Sequence, residues 1–176
     1  MPARHRYGFL RRIGALHDAR HRGGGAARRG TGAGIPEPVV RKARAALEIQ
    51  TGRCRKAWKA GVRMAMGTDA GTPCNRHGDN LQELATLVEI GLDPMEAIVT
   101  ATRRSAELLG LADRIGTIEP GKEADLVMVD ANPLADIANL TRPGAVALVV
   151  KGGRLVHAEP SADRFASLWP ADARLP

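Results

Sequence analysis

Aromatic residues are scarce: two Trp, two Phe and one Tyr make up 3% of the chain. The core must therefore rest on Val, Leu, Ile, Ala and Met, and stacking platforms for nucleobases are nearly missing. There are two cysteines, Cys54 and Cys74. That excludes a disulfide scaffold of the secreted kind and reads as a pair of reduced thiols in a cytoplasmic protein. No apolar run reaches the roughly 18 residues of a membrane span, and no apolar signal region follows the basic start. The Gly23-Gly24-Gly25 run has neither a preceding strand nor a following Lys-Ser/Thr, so it is no phosphate loop. With 176 residues the chain cannot form a whole eight-stranded β/α barrel, which takes about 250. No internal repeat is present.

Charge is plentiful but badly distributed. The net +7 is held within residues 1–35, where eight arginines face a single acid, Asp18. The remainder carries equal numbers of basic and acidic residues. The high isoelectric point, 10.2, thus describes a tail and not a basic folded face, and no specific nucleic-acid partner is expected. A transit peptide would also be Arg-rich and acid-poor, but the three glycines and the missing amphipathic repeat argue against one. Residues 1–34 are expected to be a disordered tail. A short helix around 7–20, using Phe9, Leu10, Ile13 and Leu16, is compatible with the pattern.

Order is expected from Ile35 onward. Val40, Ala43, Leu47, Cys54, Ala57 and Trp58 predict a helix through Lys59, ended by Gly61. A strand follows over Val62–Met66. Asn80 is placed to cap a helix with the stripe Leu81, Leu84, Leu87 and Val88, stopped at Gly91. Asp93-Pro94-Met95-Glu96 is a second helix start, with Met95, Ile98, Val99 and Thr102 as its apolar face. Then the pattern turns to strands. Thr117–Glu119 leads to a turn at Pro120-Gly121, and residues 124–130 form a strand apolar enough for burial on both faces. Asn132-Pro133 breaks it. Val146–Val150 and Arg154–His157 flank Lys151-Gly152-Gly153 as a hairpin. From Glu159 the chain is expected to be a loose tail.

Asp69 is the leading candidate for chemistry. It stands in Gly67-Thr68-Asp69-Ala70-Gly71, directly after the apolar strand. A carboxylate leaving the C-terminal end of a strand between glycines is how α/β barrels present a catalytic group. The competing interpretation is a turn aspartate bonded to its own backbone. His77, in the loop beside Gly78 and Asn80, is a candidate to orient substrate or pass a proton. Cys74 lies in the same loop, and as a nucleophile it would need a base, for which only His77 is near in sequence. His17 and His21 have the i, i+4 spacing of a helical zinc pair, but glycines follow at once and no third ligand is near. Cys54 is expected simply to pack, and His157 to close an edge strand.

Three segments form one ordered series: Gly61-Val62 through Gly67-Thr68-Asp69-Ala70-Gly71; His77-Gly78-Asp79-Asn80 with Glu83-Leu84; and Ala101-Thr102 to Gly110. It continues through Gly116-Thr117-Ile118-Glu119-Pro120-Gly121-Lys122-Glu123-Ala124-Asp125-Leu126-Val127. This resembles the C-terminal part of metal-dependent amidohydrolases, in particular the imidazolonepropionase-like and prolidase-like branch, over residues 35–158. The resemblance implies α/β architecture: the last strand and flanking helices of a (β/α)8 TIM barrel over residues 35–115, and part of a small β-sandwich over 116–158. Residues 159–176 remain a C-terminal tail. It also implies that Asp69 is both catalytic and a ligand of Zn2+ or another divalent metal, accepting a proton from bound water and passing it to the leaving nitrogen. The implied substrate is a small amide or dipeptide-like molecule, with His77 as a substrate-binding residue.

The departures from the family pattern are definite. No His-x-His pair occurs, and three of the five histidines (His5, His17, His21) lie in the unmatched tail. A catalytic zinc takes three protein ligands, and one credible ligand is present. The expectation is a C-terminal fragment of a hydrolase of C–N bonds, inactive by itself. The alternative is a non-catalytic remnant acting as an interaction module through its exposed apolar surface or basic tail, with self-association at open barrel edges.

Overall fold

The computed structural model describes residues 7–9, 37–68, 70, 77–78 and 80–160. The chain divides into two compact units, one ending at Ala101 and the other starting at Thr102. Helices and strands occur in both, as the α/β expectation requires.

In the first unit, strand β1 (Tyr7–Phe9) pairs in parallel with β2 (Arg63–Ala65), in the register Tyr7↔Arg63 and Phe9↔Ala65. Residues 7–9 are therefore extended, not part of a helix over 7–20; the rest of that predicted helix lies outside the described residues. Helix α1 (Glu37–Lys59) runs unbroken through Gly52. It ends in a Schellman pair of bonds, Gly61 N–H to Trp58 O at 2.9 Å and Val62 N–H to Ala57 O at 3.1 Å. That closure delivers the chain straight into β2, whose Met64 and Ala65 are buried.

Helix α2 (Gln82–Glu89) begins differently from the expectation. Its N-cap position is Leu81, and no side chain caps it. The backbone carbonyl of Asn80 accepts from Glu83 N–H at 3.1 Å, and that of Leu81 from Leu84 N–H at 3.1 Å. Tight i to i+3 turns thus replace the Asn80 side-chain cap. Leu84 and Leu87 are buried as the stripe predicts. Arg55 of α1 reaches the far end of α2, donating to the carbonyls of Glu89 at 3.1 Å and Ile90 at 3.4 Å. A cation there meets the negative end of the helix dipole.

Helix α3 (Pro94–Ala101) starts as its sequence dictates, with Asp93 Oδ1 accepting from Glu96 N–H at 2.8 Å. Its buried residues are Ala97 and Thr100. The expected face was wrong at two positions: Met95 is half-exposed and Thr102 lies beyond the helix, exposed. Small residues bury where α3 packs on α2 and β2, because they permit close approach.

The second unit opens with α4 (Arg103–Leu109) and continues to a three-stranded antiparallel sheet. Its order is β3 (Leu126–Val129), β4 (Val146–Lys151), β5 (Arg154–Ala158), with a 3-10 turn at Ile137–Thr141 between β3 and β4. Ala147, Leu148, Val150 and Leu155 form the apolar cluster of the sheet, with Leu126 and Ala158 against it. Two expectations fail here. Residues 117–119 form no strand, and β3 is an edge strand with Val127 60% exposed, not one buried on both faces. An apolar run cannot by itself distinguish a central strand from an edge.

The hairpin is as predicted. Lys151 pairs with Arg154 around Gly152 and Gly153, whose φ values of 56° and 79° make the primed turn that matches strand twist.

Candidate functional site

The proposed chemistry starts from the exit of β2. Met64 and Ala65 fix the strand in the interior, and Met66 N–H donates to Thr100 O at 3.1 Å, tying the exit to the last turn of α3. Gly67 and Thr68 follow, half-buried. Asp69 comes next and lies outside the described residues, as does Cys74. His77 is exposed in a turn beside Gly78. The described geometry therefore fixes the strand that leads to the carboxylate, and puts His77 on the surface. Among the described residues no three His, Cys, Asp or Glu side chains converge as a metal site would require. His157, at the end of β5, is exposed and 3.5 Å from Glu159. His17 and His21 lie outside the described residues.

Sequence reasoning missed Glu83. It is 1% exposed, and neither carboxylate oxygen has a hydrogen-bond partner among the described residues. Burial pushes its pKa up to about 8, so the group is mainly a neutral acid at pH 7. Cys54, on α1, is half-buried. Burial, and then the charge of Glu83, push its thiol above the usual range. Cys54 packs as predicted, but beside an acid. The available signal was Glu83 on the stripe side of α2, one position before Leu84 and three after Asn80.

The Pro-Gly-Lys-x-Ala-Asp stretch works as structure. Lys122 N–H donates to Glu119 O at 3.2 Å, closing the Pro120-Gly121 turn. The Lys122 ammonium reaches Glu119 at 3.2 Å and bonds to Thr117. Lys122 and Thr117 hold the Glu119 carboxyl below its ordinary pKa. Asp125 Oδ1 accepts from Gly152 N–H at 2.7 Å, and its other oxygen lies 3.3 Å from Lys151 Nζ. That backbone bond foremost lowers the Asp125 pKa. Asp125 thus anchors the β4–β5 turn to the start of β3.

The amidohydrolase family pattern matches residues 25–156. This chain belongs to the amidohydrolase family. It is 30% identical over 148 residues to the 5-methylthioadenosine/S-adenosylhomocysteine deaminase of Teredinibacter turnerae, covering 78% of this chain and 31% of that protein. It is 35% identical over 106 residues to the imidazolonepropionase of Phocaeicola vulgatus, covering 60% and 26% respectively. The crystal structure of a Xaa-Pro dipeptidase aligns with a TM-score of 0.66 at 36% identity, over 82% of this chain and 34% of that one. These relatives agree with the imidazolonepropionase-like and prolidase-like branch. This amidohydrolase chain spans about a third or less of their length.

Proposed function

We propose that the chain carries the last-strand portion of a metal-dependent amidohydrolase that hydrolyses a C–N bond in a small amide or dipeptide-like substrate. The supporting observation is β2: a strand with Met64 and Ala65 buried, paired in parallel, whose exit runs through Gly67 and Thr68 directly into Asp69. On this reading residues 35–115 are a partial (β/α)8 barrel and residues 116–158 a β-sandwich portion that does no chemistry. Asp69 is the catalytic carboxylate and a ligand of the metal, taken to be zinc. His77, exposed in its turn, is a substrate-contacting residue.

The described residues do not fit a complete metal centre. No three donors converge among them, and the sequence adds one strand-end carboxylate where zinc needs three protein ligands. We therefore assign no catalytic step to these residues alone. The DNA preceding the coding sequence tests the proposal. A His-x-His motif on a strand pattern, in any of three frames, supports it; its absence in all three contradicts it.

A second reading, self-association, is favoured by β3. This strand lies at the sheet edge with Val127 60% and Met128 37% exposed. An open apolar edge is a template for another copy of the chain.

A further inference from the structure

One acid in the interior of the first unit takes no part in the proposed chemistry. Glu83 has the Asn-x-x-Glu spacing of a capping box, in which the glutamate reaches back to the helix start. It makes no such bond: it is 1% exposed, with both oxygens unpaired among the described residues. A capping role is thereby excluded.

The groups around it sharpen the case. From α1 comes the Cys54 thiol, close enough to sense the Glu83 charge. One turn earlier on that face, the Thr51 hydroxyl is also buried without a described partner. Helix α3 also packs on α2 and carries Glu96, with the exposed Asp93 engaged by Glu96 N–H at its start. No described cation pairs with Glu83: Arg63 of β2 is exposed, and Arg55 is committed to the opposite end of α2. An ionised carboxylate left unpaired in such a place is costly, so it must either stay protonated or leave.

We propose that Glu83 is a proton-dependent latch on α2, in which the neutral, buried acid holds the first turn of the helix closed and its ionisation opens that turn. The Glu83 O–H bond breaks, the proton goes to solvent, and the carboxylate follows it to water. Opening is confined to the N-terminal end, because Arg55 clamps the carbonyls of Glu89 and Ile90 at the other. That N-terminal end is where the chain arrives from the Asp69 segment.

The direction with pH follows from proton counting. Between about 4.5 and 8 the folded state binds the Glu83 proton more tightly than the open state. The closed form therefore loses ground as pH rises through that window and levels off above it.

Amide hydrogen exchange on the whole chain tests the latch at pH 6 and pH 9, after correction for intrinsic exchange rates. Wild type is expected to lose protection over Leu84–Leu87 by roughly tenfold or more, while Ile90 and Leu92 change little. Glu83→Gln and Glu83→Met should each abolish the pH dependence, so one of them suffices if the other fails to fold. Parallel loss in wild type and either variant would overturn the latch, as would equal loss along the whole of α2.

Discussion

Gly116 shows how narrow the tolerance is at a single position. Its φ is +97°, and a Cβ there would meet the Ala106 Cβ at 2.6 Å, with the Arg103 Cα and Thr102 carbonyl oxygen each at 3.2 Å. Two of those three atoms are backbone and cannot swing away. Gly116→Ala is expected to destabilise the protein by about 2–4 kcal/mol, combining left-handed strain with overlap, as a lowered urea midpoint would record. An unchanged midpoint would contradict the packing of the 110–116 segment onto α4. Glycine is visible in a sequence, but its reason here is a contact with α4, which no local pattern discloses. Glu83 was illegible for a related cause. Helix-start glutamates ordinarily face water, and only the folded structure reveals this one as interior.

At the scale of elements, local rules worked at most boundaries set by chemistry within a few residues, the Asn80 cap excepted. The Asp93 cap, the Gly61 and Gly91 stops and the Gly152-Gly153 turn all lie where those rules put them. They failed where tertiary placement decides, as at the α3 face and at β3, whose apolar run ends at a sheet edge. That edge yields a prediction. Val127→Lys replaces an exposed side chain, so stability should change by only about 0.5 kcal/mol. If β3 mediates self-association, light scattering should show a smaller mass for the variant at high concentration. Equal masses for variant and wild type would remove β3 as the contact.

For the whole molecule, membership of the amidohydrolase family was legible from motifs at the β2 exit and around Pro120-Gly121-Lys122. The two differ in kind. The second is turn and ion-pair chemistry around Asp125 and Glu119, while the first leads to the only strand-end carboxylate that the sequence reading singled out. No arrangement of the described residues completes a metal centre, so the account places the remaining donors outside these residues. Zinc content per chain, measured after reconstitution and dialysis of the purified protein, tests this most directly. The account predicts far less than one ion per chain, the same for wild type and Asp69→Asn; one tightly held ion per chain, lost in Asp69→Asn, would contradict it.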